Sequence, residues 1–506
     1  MSTQLGKVVS LILLERFGEY VETVGSCLFK KGICPLQHIR VYTQLPASKV
    51  KESLCILIKY GLVNYEANHN RTSALYTIQT SKILLMLRYP KYIRFMKTKF
   101  GDEAEIILEE LLQSGYCTVS DLIIRTYNRM GKDDQTPTPL VDIRDKIEAM
   151  ITARYLMRIK LPKIEEAVPE LVRNVQDMYK MPEVELSQLS KKQSGEPNVI
   201  MKDTGIFWQI NHDRFHEDMR DKLIESAIEN KFDASAAEII RVMLQQMYIR
   251  TEAWADTTNP IPILEVKDII KKLHPNSDKV AFFDNYINII EQDSSNIIRK
   301  AGEASGGSFQ IQMKDIFTQL TWETIQQIVL EKFDSKAARI FCLVKNKSYI
   351  EPDQIQKMAM IPAKESKKLT YELLEENFLQ VQELKKAPAS SGPAKSFILF
   401  HIDLSQVVRM VLELCYKSLY NILTRRNHEK IVNKRLIDKK HRVDTIALSM
   451  KTQGASEEQL GDIDEMITPP EKEMLTVIEG TMRKLNTIEL EIDETIFLLN
   501  TYLAYE

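Results

Sequence analysis

The chain has 506 residues, of which 44% are hydrophobic and 27% charged, and its formal net charge is −2. This length excludes a single hydrophobic core and predicts three or more domains. The near-neutral charge excludes a polybasic protein that holds phosphate backbones over its whole surface, so any nucleic-acid contact has to come from local patches.

The N-terminal segment predicts an amphipathic helix and not a signal peptide. Its first apolar run soon meets Glu15, Arg16 and Glu19, whereas a signal peptide keeps an uncharged apolar centre. Apolar residues recur on one face across residues 5–31, which predicts one continuous helix. Because no apolar run is long enough to span a bilayer, we expect no membrane partner.

Three stretches share one template without a gap: residues 46–63, 139–156 and 362–379. Each begins with a proline, continues as a helical pattern, and then reverses before two apolar residues that begin a strand. The reversal falls fifteen residues after each proline, at Gly61, Arg154 and Asn377. Proline in a first turn and Gly or Asn past the last turn are typical of helices. A helix of this length running into a strand predicts the second half of a winged-helix module.

The other elements complete two such modules in the N-terminal part of the chain. In the first, a short helix over residues 36–42 precedes the templated helix, and residues 62–67 and 74–79 form the hairpin known as the wing. In the second, the strand that begins the wing starts at Tyr155. The helices predicted before it cover residues 105–115, 118–130 and 140–153.

Two further modules follow. The third has helices predicted over residues 263–273 and 280–290 and a wing, but it lacks the templated proline and rests on the order of its elements alone. The fourth regains the template, and its wing is predicted from residues 378–386 and 396–404. Long helices over 405–452 and 470–505 then predict an antiparallel hairpin. The apolar seams assigned to these two helices include Ile431 and Ile488, respectively.

The predicted fold is mainly helical with small β wings: tandem winged-helix domains followed by a C-terminal antiparallel coiled-coil hairpin. The predicted boundaries are 1–88, 89–162, 206–313 and 314–404 for the four winged-helix domains, 163–205 for a polar linker and 405–506 for the hairpin.

The sequence shows no catalytic, cofactor or metal site, and we therefore predict that the chain is not an enzyme. His212 and His216 have helical spacing, but Asp213 lies between them and a metalloprotease helix needs Glu and a third ligand. The loop over residues 302–308 lacks the lysine of a phosphate-binding loop. An acidic cluster in the connector of the tail is better explained as a solvated turn, and it comprises Asp462, Asp464 and Glu465. The six cysteines lack CxxC spacing and are expected to be reduced core residues.

Basic residues are the candidate contacts with DNA or with a partner protein. One group crowds the first tail helix and comprises Arg425, Arg426, Lys430, Lys434, Arg435, Lys439, Lys440 and Arg442. This density suits phosphate contact as well as a solvated face or an acidic partner. The templated helices add Lys49, Lys51 and Lys59 in the first module and Lys364, Lys367 and Lys368 in the fourth. Because the usual base-reading side chains are sparse, backbone contact or protein docking is favoured over sequence readout.

Tyrosines offer a second kind of nucleic-acid contact. Tyr60, Tyr65 and Tyr76 of the first module have rings on which single-stranded bases stack. Packing within the module is the alternative role of each ring. Two other function classes also remain open: a free-standing winged-helix regulator that reads duplex DNA, and a scaffold whose winged helices dock only proteins.

Several long motifs resemble the third-largest subunit of eukaryotic RNA polymerase III, in the order of that family and over nearly the whole chain. They are LLMLRYPKYI at 84–93, GIFWQINHDRFH at 205–216, RIFCLV at 339–344, AMIPAKESKKL at 359–369, CYKSLYNI at 415–422 and IDETIFLLNTY at 492–502. The resemblance implies four extended winged-helix domains and a C-terminal coiled coil. It further implies a nuclear, non-catalytic subunit that joins two smaller subunits in a peripheral heterotrimer near the clamp of the largest subunit.

The same resemblance implies a role in initiation. Members of the family are expected to recruit the polymerase through an initiation factor and to stabilise melted promoter DNA, in the synthesis of transfer RNA, 5S ribosomal RNA and other small RNAs. The family has no short catalytic signature to transfer, so the DNA-contact residues above depend on charge and position alone.

Overall fold

This computed structural model describes residues 2–68, 72–133, 140–163, 168–172, 176–185, 188–189, 201–275, 278–302, 307–385, 396–452 and 466–506. They form two compact units. The first unit is Met1–His216 with Tyr416–Asp493, and the second unit is Glu217–Cys415 with Glu494–Glu506. Helices predominate, and every sheet among the described residues is antiparallel with two or three strands. The predicted class, mainly helical with small β wings, is confirmed.

The first module has helices α1 (Thr3–Phe17), α2 (Glu19–Lys31), α3 (Leu36–Thr43) and α4 (Ala47–Lys59). Its sheet has strands β1 (Cys34–Pro35), β2 (Val63–Ala67) and β3 (Ala74–Ile78), in the order β1-β3-β2. The predicted wing is confirmed, with Tyr65 of β2 opposite Tyr76 of β3. Helix α5 (Thr80–Leu85) and a short 3₁₀ turn (Met86–Arg88) lead out of the module.

The prediction of one helix over residues 5–31 is wrong. Gly18 adopts a φ of 85°, outside the helical region, and divides the segment into α1 and α2. Its backbone N–H still donates to the carbonyl of Leu14 at 3.1 Å. The periodicity continued across the break because both helices bury the same kind of apolar face, which includes Val9 and Leu13 in α1 and Val24 in α2.

The second module has helices α6 (Tyr89–Phe100), α7 (Asp102–Ser114), α8 (Val119–Asp133) and α9 (Leu140–Thr152). Its strands are β4 (Leu156–Arg158), β5 (Leu161–Lys163), β6 (Glu170–Val172) and β7 (Trp208–Ile210). The partner of β4 is β7, which the sequence assigned to the start of the third domain. Because this pairing completes the wing of the second module, we propose that the second domain extends to about residue 211; the other boundaries remain predictions.

The third module has helices α10 (His212–Lys231), α11 (Ala234–Arg250), α12 (Ile263–Leu273), α13 (Asp278–Ala281) and α14 (Phe283–Gln292), and strands β8 (Ile261–Pro262), β9 (Ile298–Gly302) and β10 (Ser308–Ile311). The fourth has α15 (Met313–Lys332), α16 (Ser335–Lys347), α17 (Pro352–Ala359), α18 (Ala363–Glu375), β11 (Gln380–Lys385) and β12 (Ser396–His401). Both predicted wings form, since β10 pairs with β9 and β11 with β12.

The templated helices end in the same way in all three copies. Gly61, Arg154 and Asn377 have φ values of 67°, 66° and 61°, in the left-handed region. The next residue then donates its N–H five residues back, as in a Schellman motif. These bonds run from Leu62 to Leu57 at 2.8 Å, from Tyr155 to Met150 at 3.0 Å and from Phe378 to Leu373 at 2.9 Å. The apolar residues after each reversal are therefore buried at the start of the strand. Apolar residues of the helix (Leu57, Met150 and Leu373) supply the carbonyls that accept the closing bonds. Pro139, which opens the second copy, lies outside the described residues.

The third module makes a similar reversal at a residue that the template did not predict. Asn296 has a φ of 49°, and Ile297 and Ile298 behind it are buried. Extra polar residues after α14 place this reversal further along the chain, so the fifteen-residue spacing of the other copies does not predict it. Asn is one of the residues that tolerates the left-handed conformation.

The tail has helices α19 (Leu404–Val432), α20 (Lys434–Thr452) and α21 (Pro469–Tyr505). The predicted continuous helix over 405–452 is interrupted at Asn433, whose side-chain amide donates to the carbonyl of Glu429 at 3.1 Å. Within the first unit, Val443 of α20 and Leu475 of α21 share an apolar cluster with Ile467, which lies just before α21, as expected of two antiparallel helices. Two predicted seam positions are wrong, because Ile431 and Ile488 are exposed.

Within the described residues, we find no helix with the length and apolar character that crossing a membrane requires.

Candidate nucleic-acid and partner interfaces

A buried ion cluster joins three distant segments within the first unit. Arg88 donates from Nε to both carboxylate oxygens of Asp493, at 2.8 and 3.0 Å. Lys91 lies 3.7 Å from the same carboxylate and donates to the carbonyl of Leu490 at 2.6 Å. The side chains of Arg88 and Asp493 are only 5% and 2% exposed. We call Arg88, Lys91, Tyr92, His216 and Asp493 the Arg88–Asp493 cluster.

The histidine of this cluster is neutral. Its Nε2 lies 2.9 Å from the hydroxyl of Tyr92 and 3.3 Å from Nη1 of Arg88, so it accepts hydrogen bonds. Burial, with a contribution from the Arg88 charge, lowers the pKa of His216 to about 3. Burial also lowers the pKa of His212 to about 4, and its ring stacks on Tyr89 at a centroid distance of 6.3 Å.

These contacts explain the spacing of the two histidines without a metal. Nε2 of His216, one of its two possible metal-coordinating nitrogens, already faces an arginine and a tyrosine hydroxyl. Across the part of the chain that the structure describes, no three His, Cys, Asp or Glu side chains come together as metal ligands. The carboxylates Asp462, Asp464 and Glu465 lie outside that part.

The first half of the basic segment on the tail is occupied by acidic partners. Arg426 pairs with Glu15 at 2.8 Å and also with Glu489, and Lys430 pairs with Glu15 at 2.8 Å. Burial raises the pKa of Glu15, but the hydrogen bonds and charges of Lys430 and Arg426 outweigh it and the net pKa is lowered. Arg425 pairs with Glu429 one turn away. Arg426 thus connects α1, α19 and α21 inside the protein.

The second half of the basic segment is only partly paired. Lys439 lies 2.6 Å from Glu471, and Lys440 pairs with Glu479. Arg442 is exposed and donates to the carbonyl of Asp438 at 3.3 Å. Lys434 and Arg435 are exposed and form no ion pair with another described residue. Of the eight candidates in this segment, these three retain the most charge for an outside partner.

The same hairpin exposes large apolar side chains. Val432 is 63% and Val477 is 70% exposed. Other exposed apolar residues on α19, α20 and α21 are Ile431, Ile446, Leu448, Met474 and Ile488. Concentrated exposure of this kind is typical of protein-binding surfaces. The hairpin therefore exposes apolar side chains on all three of its helices, and the exposed cations Lys434 and Arg435 lie on α20.

The templated helices differ in how much charge they present. In α4, Lys49 pairs with Glu52 at 2.9 Å, Lys51 is exposed, and the ammonium of Lys59 lies 5.9 Å from the ring centroid of Tyr116. Tyr60 is a packing residue, because its hydroxyl donates to the carbonyl of Gln113 at 2.5 Å.

Helix α18 presents a more open basic face. Lys364 and Lys367 are exposed and form no ion pair within the described residues, and Lys368 lies 3.6 Å from Glu372. Tyr371 is 60% exposed on the same helix, and Met360 just before it is 88% exposed. Neither α18 nor α4 contains Arg, Asn or Gln. Such a face suits the phosphate backbone better than base edges.

A second buried arginine, in the second unit, was also missed from the sequence. Arg220 is fully buried and donates to the hydroxyl of Tyr505 at 3.1 Å and to the carboxylate of Asp221 at 3.0 Å. Its guanidinium lies 5.3 Å from the ring centroid of Trp254. In each unit a buried arginine therefore contacts a residue of α21.

One signal in the sequence pointed to the Arg88–Asp493 cluster. Its members come from three of the motifs that carried the family resemblance: LLMLRYPKYI, GIFWQINHDRFH and IDETIFLLNTY. Because these three motifs contain no recognisable catalytic residues, contact with one another is a structural role that they could be expected to share.

Comparison with known proteins gives a consistent result along the chain. Family models match for "RNA polymerase III subunit RPC82 helix-turn-helix domain" over residues 7–68 and "RNA polymerase III subunit RPC82" over 139–320. Those for "POLR3C, C-terminal winged-helix domain" and "DNA-directed RNA polymerase III subunit RPC3, helical hairpin domain" match residues 325–402 and 435–498.

Similar proteins extend over the whole length. The DNA-directed RNA polymerase III subunit RPC3 of Rattus norvegicus is 36% identical over 524 residues, which cover 98% of this chain and 98% of the relative. The subunit of the same name from Homo sapiens is 36% identical over 525 residues, again with 98% of each chain covered. That of Danio rerio is 32% identical over 538 residues, with 99% of each covered.

Proposed function

Because the chain belongs to the family of RNA polymerase III subunit RPC3, we propose that it is a non-catalytic subunit of DNA-directed RNA polymerase III and acts in the nucleus. The observation that carries this proposal is the match over nearly the full length to the RPC3 subunits, at 36% identity to that of Rattus norvegicus. The absence of a recognisable catalytic motif in the sequence agrees with an accessory role.

We propose that the hairpin docks on other polymerase subunits. Its exposed valines, Val432 and Val477, supply apolar area, while its basic residues are largely paired within the protein. Desolvated apolar side chains supply much of the affinity of protein interfaces, and exposed cations at the rim add orientation. The partners proposed are two smaller subunits of an initiation heterotrimer and the clamp of the largest subunit.

DNA contact is proposed at α18. Its lysines Lys364, Lys367 and Lys368 stand on the outer face of a templated helix, and this helix in a helix-turn-helix protein faces the DNA. Without base-reading side chains, the contact is with phosphates and independent of sequence. In this proposal the subunit takes part in initiation, contacts an initiation factor and promoter DNA, and helps to hold DNA near the transcription bubble.

Purification through a tag on this chain tests the proposal. Mass spectrometry of the purified material is expected to identify the large catalytic subunits of RNA polymerase III in fixed proportion to the tagged chain. A free-standing regulator would purify alone and bind one duplex sequence tightly. A scaffold would purify with proteins unrelated to any polymerase. Either result would overturn the proposal.

A further inference from the structure

The turn that leads into α18 exposes a methionine. Met360, between α17 and α18, is 88% exposed, more than any other large apolar side chain in the described part of the chain. Its φ is 55°, in the left-handed region, which is disfavoured for a residue with a Cβ atom and is usually occupied by Gly or Asn. A single exposed methionine is ordinary on a protein surface, but a disfavoured backbone conformation often marks a functional position.

The turn around Met360 is fixed on both sides. Before it, the guanidinium of Arg339 on α16 donates to the carbonyl of Ala359 at 3.2 Å. After it, Ile361 is buried, and Pro362, with a φ of −55°, precedes the first residue of α18. Because its neighbours are held by the fold, Met360 has little freedom to move its side chain into the core.

The first module contains the same turn with a different side chain. Gln44 follows α3 with a φ of 56°, and α4 begins after Pro46. The sequence of the turn is Gln-Leu-Pro at 44–46 and Met-Ile-Pro at 360–362. Gln44 is also exposed, so this turn accepts a polar residue at the left-handed position. The fold therefore does not require a methionine at position 360.

Exposed lysines lie on both sides of Met360 in sequence. Lys357 precedes it on α17, and Lys364 and Lys367 follow it on α18. Lys364 and Lys367 are among the phosphate contacts proposed above. In a helix-turn-helix protein, the N-terminal residues of the helix that corresponds to α18 lie closest to the base pairs. Met360 therefore places an exposed apolar side chain at the end of α18 that would approach DNA.

We propose that Met360 is an apolar wedge that enters between neighbouring base pairs of duplex DNA while Lys364 and Lys367 hold the adjacent phosphates. Methionine is among the side chains that DNA-bending proteins insert in this way, and the insertion partly unstacks a base step. The inference rests on the DNA contact proposed at α18 and adds a residue that distorts the DNA. Since α18 carries no base-reading side chain, insertion is expected where the duplex is most easily unstacked.

Binding to duplexes with and without a central mismatch tests the wedge. Unstacking is easiest at a mismatched base, so the full chain is expected to bind the mismatched duplex about fivefold more tightly than a paired duplex of equal length. The test variant is Met360→Gln, which introduces the side chain that the first module has at the same turn. It should remove the preference for the mismatch. Fluorescence anisotropy measures both affinities.

A fluorescent base reports the unstacking itself. The emission of 2-aminopurine beside the mismatch increases when the base leaves the stack, so saturating wild-type protein should increase it and saturating Met360→Gln should not. Leu264→Gln is the matched control, because it replaces another exposed apolar residue of the second unit, on α12. This control should behave as wild type. Equal emission with wild type and Met360→Gln would overturn the wedge.

Salt dependence separates the wedge from the charges of α18. Lys364→Glu with Lys367→Glu should lower the salt slope for the paired duplex by about 1.8, because each phosphate contact with a duplex contributes about 0.9. Met360→Gln should keep the wild-type slope. A lysine variant with wild-type affinity and slope would overturn the DNA contact at α18 and the wedge with it. A weakened lysine variant, with the mismatch preference kept in Met360→Gln, would overturn the wedge alone.

Copurification distinguishes DNA from a partner protein. An apolar pocket on another protein would also bury Met360, and fewer polymerase subunits would then copurify with Met360→Gln. That result, together with an unchanged mismatch preference, would assign the residue to a protein interface and overturn the wedge. Circular dichroism and the thermal midpoint check that each variant folds. Purification of the wild-type chain tests the subunit assignment separately, so the two proposals can fail independently.

Discussion

The guanidinium of Arg88 and the carboxylate of Asp493 lie 405 residues apart in sequence and form a buried pair in the first unit, with Nε 2.8 Å from Oδ1 and 3.0 Å from Oδ2. Arg88 ends the segment that leaves the first module, and Asp493 belongs to α21. The pair therefore attaches the long C-terminal helix to the N-terminal modules.

Breaking this pair on one side is expected to destabilise the first unit. Asp493→Asn leaves the Arg88 charge buried without its counterion, and removing one partner of a buried pair costs about 3–5 kcal/mol. The loss should appear as a lower denaturation midpoint and faster proteolysis of α21. The double variant Arg88→Met with Asp493→Leu should recover much of the loss, because it removes both charges. Equal stability of wild type and Asp493→Asn would contradict the role assigned to the pair.

The free energy of unfolding is expected to decrease as the pH is lowered, because two histidines are buried. Their folded pKa values are about 3 for His216 and about 4 for His212, whereas an unfolded histidine has a pKa of about 6.5. Between pH 6.5 and 4.5 the unfolded chain binds protons that the folded chain does not, so acid favours unfolding. Stability is full above pH 6.5 and is lost as the pH falls toward the folded values.

The variant His216→Gln isolates this effect. Its amide oxygen accepts from Tyr92 as Nε2 of His216 does, but it does not titrate. The fall in unfolding free energy between pH 6.5 and 4.5 should be shallower by up to about 1.4 kcal/mol per pH unit, the value of one proton. Chemical denaturation across this range measures the slope. Parallel profiles for wild type and variant would show that His216 does not take up the proton.

The basic segment of the tail is expected to divide into structural and accessible residues. Arg426→Ala leaves Glu489 buried without its partner and should cost about 1–3 kcal/mol. Lys434→Ala with Arg435→Ala should change stability by no more than about 0.5 kcal/mol for each residue, because both are exposed. Denaturation midpoints measure both.

Charge reversal at the accessible residues tests their contact with a partner. Lys434, Arg435, Lys439 and Lys440 lie close together among the candidate contacts with DNA or a partner protein. Since Lys439 and Lys440 pair with glutamates of α21, the sharper variant is Lys434→Glu with Arg435→Glu. It should weaken DNA binding or polymerase association while the midpoint is kept. Unchanged binding in both assays would remove this segment from the candidate interfaces.

The apolar face of the hairpin is expected to be needed for docking. Val432→Asp with Val477→Asp places charges at two exposed positions, so the fold should be kept, while a desolvated interface would be lost. Fewer polymerase subunits should copurify with this variant. Leu264→Asp, at an exposed position of α12 in the second unit, is the matched control and should copurify normally. Full copurification of the hairpin variant would place the docking surface elsewhere.

Local features of the fold were predictable from the sequence. The three templated helix ends follow from Gly61, Arg154 and Asn377, because a left-handed residue followed by two buried ones encodes a helix end and a strand start together. The break at Gly18 and the shifted reversal at Asn296 were missed. The apolar periodicity continues across Gly18, so it gives no sign of the helix break. The polar residues added after α14 change the spacing of the third module without preventing the turn at Asn296.

Long-range features were not predictable in this way. Charge density alone grouped Arg426 with Lys434, although one is paired across the fold and the other is exposed. The pairing of β4 with β7 and the contact between Arg88 and Asp493 join residues whose sequence neighbourhoods give no information about each other. Only the family motifs linked these regions, because three of them supply the residues of one buried cluster.

The role in initiation proposed for this chain requires that RNA polymerase III lose promoter-dependent activity without it. The most direct measurement is transcription by polymerase depleted of this chain, on a promoter template and on a tailed template that bypasses initiation. With a role in initiation, promoter-dependent synthesis is expected to be lost and to return when the wild-type chain is added, while synthesis on the tailed template continues throughout. Loss of synthesis on both templates, or normal promoter-dependent synthesis without the chain, would contradict it.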